Sequence, residues 1–309
     1  MRIRTPAQRE CTIMPLLGPL MIVYVVWGST YLAMKVAVGH LPPLTLNAVR
    51  FLAAGLILYA LCAWRRRGRP GYRRPTAREW RAGAIQGLLL PAAGTGGATW
   101  AEQELSSGVA ALLLATIPLW IVIGSRVVDK ERISLPVGLG LLAGVTGVAV
   151  LVNPFGGDPP DPLSAAVALG GALCWGLGSV YGRHAPRPEQ PLLASAVEMI
   201  CAGVLLTVLG GLGGEFGRVE LSSDTTVSLL AVAYLIVFGS LIAYTAYEWL
   251  LQNAPPRITG TYAFVNPVVA VLLGWWLLDE EVGPRTLLAG TIIAIAVALI
   301  VLPRKREKH

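Results

Sequence analysis

Residues 16–38 read LLGPLMIVYVVWGSTYLAMKVAV and residues 163–183 read LSAAVALGGALCWGLGSVYGR. Each is an apolar block of about 20 residues, the length that carries an α-helix across about 30 Å of hydrocarbon. Each holds a Trp-Gly pair near its middle, Trp27-Gly28 in the first and Trp175-Gly176 in the second, 148 positions later. Eight more blocks lie at about 44–64, 82–101, 108–127, 134–152, 192–212, 227–249, 258–278 and 286–302. Helix-breaking residues punctuate them: Pro42-Pro43, Asn153-Pro154, Asp158-Pro159-Pro160, Pro186 and Pro255-Pro256. The pattern predicts an all-α polytopic membrane protein with ten transmembrane helices.

Composition agrees. Of 309 residues, 54% are hydrophobic and 14% charged, against about 25% charged in a typical soluble chain. The longest polar segment, Arg65 to Arg81, has 17 residues, too few for a soluble domain. A soluble enzyme with a membrane tail is thereby excluded. The first block follows Arg2, Arg4 and Arg9 as a secretory signal would, but it is too long for an h-region and no clear cleavage site follows. It reads as a retained helix. The four cysteines, Cys11, Cys62, Cys174 and Cys201, form no C-x-x-C pair, so neither a metal site nor a disulfide framework is expected.

Lysine and arginine set the orientation. Twenty-one of the 25 fall on the side of the N-terminus, eight of them between residues 65 and 81. Only Arg218 and Arg285 fall on the other side, and Lys35 and Arg50 lie within spans. Such a bias marks the cytoplasmic side. Both tails, 1–15 and 303–309, are expected in the cytoplasm, with the chain in the cell (inner) membrane. The net charge of +7 then needs no nucleic acid, because the basic residues orient the protein beside anionic headgroups.

The second half repeats the first. At a shift of 148, Lys35 falls on Arg183, Pro43-Leu44 on Pro191-Leu192, and Ala54-Gly55 on Ala202-Gly203. At 149, Trp100 falls on Trp249, Gln103 on Gln252 and Pro118 on Pro267; at 150, Gly140 falls on Gly290. Spans 1–5 (16–153) therefore recur as spans 6–10 (163–302). Five is odd, so the two units enter from opposite faces as an inverted repeat. Secondary transporters are built this way and bind solute near the midplane between the halves. Gene duplication without transport is the competing account.

The ordered motifs resemble the EamA-like family of the drug/metabolite transporter superfamily over about 16–302. They are the aromatic-Gly starts (Trp27-Gly28-Ser29-Thr30-Tyr31; Trp175-Gly176-Leu177-Gly178-Ser179), Arg50, the small-residue runs to Pro118 and Asn266-Pro267, the acidic exits near Glu131 and Glu281, and Gly-rich helices from Gly140 and Gly290. The resemblance implies a ten-helix basket around a central cavity and movement of small organic solutes, often export of amino acids or related metabolites. It implies no cofactor.

Candidate cavity residues are polar or aromatic side chains where apolar ones would be cheaper. Trp27 and Tyr31 are four apart, as are Trp175 and Ser179, and each pair shares a helix face. Thr116, Tyr244, Tyr262 and Asn266 extend this set. An interfacial aromatic belt is the alternative for the tryptophans, weakened by their mid-span depth. Pro118 and Pro267 are candidate kinks that free a carbonyl four residues back. Arg50 and Glu198 occupy equivalent positions with opposite sign. They are expected to bind a charged solute, to pair with each other, or to snorkel to the nearer surface. Trp100, Gln103 and Glu248 are candidate gates or interface anchors, with Glu102 and Glu248 expected to be solvated at the membrane surface. Small residues along spans 5 and 10 suggest that these helices pack together, with homodimerisation the competing use.

The expected activity is alternating-access transport of a small metabolite, most simply amino-acid export, with a small-molecule solute and the lipid bilayer as partners. A proton-coupled drug or cation exporter is the rival, set back because neither span 1 nor span 6 holds a carboxylate. An intramembrane enzyme or lipid-handling scaffold is remote: H-E-x-x-H, the P-loop and G-x-S-x-G motifs are all absent.

Overall fold

The computed structural model describes residues 16–65, 73–128, 130, 134–152, 160–219, 225–254 and 262–301. The expected tails 1–15 and 303–309, and Glu131, lie outside the described residues. Among the described residues the chain forms ten principal helices and no strand. They are α1 (Leu16–Val38), α2 (Pro43–Arg65), α3 (77–101), α4 (Ser107–Val128), α5 (Leu135–Val152), α6 (Pro162–Gly182), α7 (Pro191–Leu212), α8 (Thr225–Leu250), α9 (Tyr262–Leu278) and α10 (Pro284–Val301). Six of these, α1, α2, α4, α6, α7 and α8, are long and apolar enough to cross a membrane, and α5, α9 and α10 carry shorter apolar stretches.

The packing repeats with the sequence. α6 lies against α3 and α4, while α1 lies against the equivalent α8 and α9. α2 packs closely on α7, and α5 on α10. Small residues make the last contact close: a methyl on Gly147 would stand 2.7 Å from Ile293 Cγ1. The fold is thus two inverted five-helix units forming a basket, with α1, α3, α4, α6, α8 and α9 around its centre. Its outer surface exposes Leu142, Val208, Leu230, Trp276 and Leu288, side chains at home in hydrocarbon.

Polar contacts tie the halves together on the face away from the arginine-rich loop. The Glu280 carboxylate accepts from Ser107 N and Ser107 Oγ, both at 2.8 Å, and so caps α4. Glu215 accepts from Thr45 N at 2.8 Å and caps α2. A carboxylate there pairs with orphan amides and with the positive end of the helix dipole. Both caps reach from the second unit into the first.

Pro118 and Pro267 differ in effect. α4 is interrupted at Ala115 and Thr116, just ahead of Pro118, whereas Pro267 lies inside the continuous helix Tyr262–Leu278. Three π-helical stretches were not foreseen: a short one in α1, Val23–Trp27, and two longer ones. α3 runs as π-helix over Leu88–Thr95 and α8 over Leu235–Tyr244. Their last residues, Thr95 and Tyr244, are 149 apart, so the device recurs in both units. A π-segment shifts backbone bonding by one residue and often marks a functional site.

Candidate functional site

The tryptophans of the two Trp-Gly pairs, one on α1 and one on α6, meet at the centre of the basket. The Trp27 and Trp175 rings meet edge to face, 5.7 Å between centroids and 89° between planes. Trp27 also touches Tyr247 at 4.8 Å, Tyr262 at 5.5 Å and Tyr244 at 6.3 Å. Five buried rings thus fill the centre of the basket, and both tryptophans are under 9% exposed. This rules out an interfacial belt for either one. Aromatic edges and faces at these separations attract through their quadrupoles.

A cavity of about 50 Å³ adjoins the cluster. At about 15 Å³ per water it has room for roughly three or four waters. α1 presents Trp27, Thr30, Tyr31 and Met34 to it, one face at helical spacing. α2 adds Arg50 and Phe51, α3 adds Thr95 and Ala98, and α4 adds Leu114 and Ile117. From the second unit come Trp175, Tyr244, Tyr262 and Asn266. The wall therefore includes α2 as well as the six central helices.

Two residues of the sequence-derived set face elsewhere. Thr116 Oγ1 donates to Leu113 O at 2.7 Å, and Ser179 Oγ donates to Trp175 O at 2.8 Å. The Thr116 hydroxyl is spent on its own helix, the Ser179 hydroxyl also meets that of Tyr247, and neither residue lines the cavity. Gln103 is exposed and Trp100 half-buried at the end of α3. Met34, Phe51, Thr95 and Ala98 were missed. Ala98 and Phe51 give no polar signal, but Met34 lies at i+7 from Trp27 on the face already singled out.

The buried charges sit apart. Arg50 is 4% exposed and Glu198 2%, so neither reaches the surface as snorkelling requires. They do not pair with each other. Arg50 Nε donates to Ser240 Oγ at 2.9 Å, Nη1 meets Met34 Sδ at 3.7 Å, and the guanidinium lies 4.9 Å from the Phe51 ring centre. Glu198 Oε2 accepts from the Tyr244 hydroxyl at 2.8 Å. Ser240 and Tyr244 are one turn apart on α8, so one π-helical segment holds both charges. Among the described residues Arg50 has no carboxylate within 4.0 Å.

Glu102 and Glu248 correct an expectation. Both were expected to be solvated at the membrane surface, yet they are 0% and 1% exposed. Each ends a polar helix turn folded under neighbouring helices instead of facing water. Lys35 does not reach solvent unaided either: Nζ donates to Glu102 O at 2.7 Å.

The indole N–H groups differ. Trp27 Nε1 donates to Gly239 O, a carbonyl of the π-segment, at 3.2 Å. Trp175 Nε1 is buried and directed at the Tyr247 and Tyr262 hydroxyls, without a well-formed hydrogen bond to either. Asn266, with its amide turned so that both ends are satisfied, donates to Tyr24 O at 3.2 Å and Tyr262 O at 3.3 Å. The cavity thus offers one unneutralised guanidinium, one open indole donor and several ring faces. That set can hold a small solute carrying an anionic group and a flat apolar group.

Known proteins agree with this architecture. The chain is 39% identical over 292 residues to a protein named uncharacterized inner membrane transporter YedA of Escherichia coli K12, covering 94% of this chain and 92% of that one. It is 24% identical to Protein PagO of Salmonella typhimurium, over 92% of each. A solved crystal structure superposes with a TM-score of 0.64 at 22% identity, covering 93% of this chain and 96% of the other, which shows a shared fold. The profile of the EamA-like transporter family matches twice, over residues 16–153 and 163–302. Those two matches span the inverted repeat, and the chain belongs to the EamA-like transporter family.

Proposed function

We propose that this transporter exports amino acids or closely related metabolites across the inner membrane by alternating access, with both termini in the cytoplasm. The observation that carries the reading is Arg50: buried, facing the cavity, and without a carboxylate within 4.0 Å among the described residues. An unpaired buried charge is costly, and a solute carboxylate relieves that cost with a charge-assisted bond. Trp27, Trp175 and Tyr262 supply faces for the solute's side chain, and the loosely held Trp175 N–H supplies a donor.

Alternating access is supported by the cavity's size, since room for a few waters is less than an amino acid needs. The halves must part to load it. The Arg-rich loop supports the placement of the termini, and the relatives named as inner membrane transporters support the choice of membrane.

One observation favours the rival, proton-coupled export of a drug or cation: Glu198 and Glu248 are buried carboxylates on adjacent helices. Arg50 in the wall weighs against a cationic solute.

Uptake and efflux of a panel of labelled amino acids in proteoliposomes tests the reading, using wild type, Trp175→Ala and Asn266→Ala. A solute moved by wild type and slowed in both variants supports it. Equal rates in all three overturn the site. Rates that follow an imposed pH gradient and prefer cations transfer the assignment to the rival.

A further inference from the structure

Glu102 is a buried acidic residue near the cavity whose two carboxylate oxygens the contacts above leave unused. It ends α3, and its N–H donates to Ala98 O at 3.0 Å, so it stands one turn beyond a cavity-lining residue on the same face. It is 0% exposed, and among the described residues neither carboxylate oxygen has a hydrogen-bond partner. The charges that face it are Lys35, Glu280 and Arg50. Lys35 Nζ is committed to the backbone carbonyls of Glu102 and Gln103, at 2.7 and 3.4 Å. Glu280 is committed to the start of α4. Arg50 looks into the cavity from the neighbouring helix α2.

A buried carboxylate with two open oxygens wants donors. Fold symmetry does not account for it: the position 149 residues on is Leu251, so the scaffold does well without an acid there. A solute amine can supply those donors. Intramembrane acids are retained where they handle charge.

We propose that Glu102 receives the ammonium group of the solute whose carboxylate Arg50 holds, so that the site selects zwitterions with a free amine and a free carboxylate. This rests on the carboxylate reading of Arg50. Arg50 on α2 and Glu102 on α3 form the two polar poles, and the Trp27–Tyr262 ring surface lies between the repeats for the side chain. A solute with one charge leaves the opposite pole buried and unpaired, which is the cost that confers selectivity.

The test uses full-length protein in proteoliposomes and three labelled probes: phenylalanine, N-acetylphenylalanine (carboxylate alone) and phenethylamine (amine alone). Wild type should move phenylalanine best. Glu102→Gln should slow phenylalanine by about 10- to 100-fold, the worth of one charge-assisted contact, and leave N-acetylphenylalanine unchanged or faster. Glu102→Asp should recover part of the preference for phenylalanine, which an effect on folding alone would not do. The inference is overturned by itself if wild type moves N-acetylphenylalanine as fast as phenylalanine, or if Glu102→Gln slows all probes alike. Failure of wild type to move any of the three overturns the carboxylate reading, and this inference with it. Competition by the unlabelled analogues against wild type decides zwitterion selectivity without any variant: each should compete at least about tenfold more weakly than phenylalanine.

Discussion

Gly55 on α2 and Gly203 on α7 each face the other's helix at a single crossing. A methyl on Gly55 would lie 2.8 Å from Ile200 N, and one on Gly203 would lie 2.7 Å from Leu52 N. Gly55 and Gly203 are 148 residues apart, and so are Leu52 and Ile200. The pseudo-twofold axis of the inverted repeat therefore passes through this contact, as it passes between Trp27 and Trp175.

Because backbone, not a flexible side chain, meets the added methyl, Gly203→Ala forces α2 and α7 apart. The cost should be about 1–3 kcal/mol, as in other overpacked cores. Thermal unfolding in detergent reads it as a lower Tm. Gly170→Ala is the control, since nothing lies within 4 Å of its added methyl. Equal Tm values for the two variants would contradict the crossing.

Much of this was legible in the sequence because repetition is a global signal. Trp27 and Trp175, or Gly55 and Gly203, align whatever their packing, and an odd number of spans fixes inversion. The local details were less legible. Thr116 and Ser179 are polar residues on a suitable face, yet a hydroxyl within a helix has its own backbone carbonyl as a ready acceptor. Nothing in composition separates that use from a solute contact. Glu102 and Glu248 were misplaced for a related reason: an acid at a helix end is normally solvated, and only tertiary packing reveals that both are covered. The π-segments leave a trace in α3, at Pro91, but none in α8.

The start of α3 should respond to acid. Outside the apolar part of that helix, Glu79 takes two contacts from Arg73, at 2.7 and 2.8 Å, and one from Thr76 N at 2.7 Å, completing a capping box. The Arg73 guanidinium comes first among the causes that hold the Glu79 carboxyl down, from its ordinary 4.5 to about 2. A lowered folded-state value means that the stabilisation is complete above about 4.5 and fades as pH falls toward about 2. The Tm gap between wild type and Glu79→Gln should thus be constant near neutrality and narrow through that window. A gap that stays constant to pH 3 would remove the carboxylate from the cap. Arg73 is 54% exposed, so salt should shrink the gap as well.

Tyr244→Phe separates structure from transport on α8. The ring stays in the cluster, but Glu198 loses the donor at 2.8 Å and becomes a buried carboxylate without its hydrogen bond. Such a loss costs about 1–3 kcal/mol. Glu198→Gln keeps an acceptor for Tyr244, so it should be milder, and the double variant should cost less than the sum of the two singles. A double-mutant cycle of Tm values that closes to zero would show that the contact carries no coupling.

The two equivalent tryptophans should fail in different ways when changed to phenylalanine, because only one indole N–H is used by the fold. Trp27→Phe removes the bond to Gly239 O at 3.2 Å and orphans a carbonyl in the π-segment. It should cost about 1 kcal/mol of stability, with transport falling as folded protein falls. Trp175→Phe removes a donor that, among the described residues, makes no well-formed hydrogen bond and only leans on the Tyr247 and Tyr262 hydroxyls. It should leave Tm nearly unchanged and raise KM by about 5- to 10-fold, the worth of one hydrogen bond to solute. Paired Tm and KM measurements on these two variants therefore tell the structural ring from the solute-facing one. The reverse outcome, a stable Trp27→Phe with raised KM and an unstable Trp175→Phe, would exchange their roles across the pseudo-twofold axis.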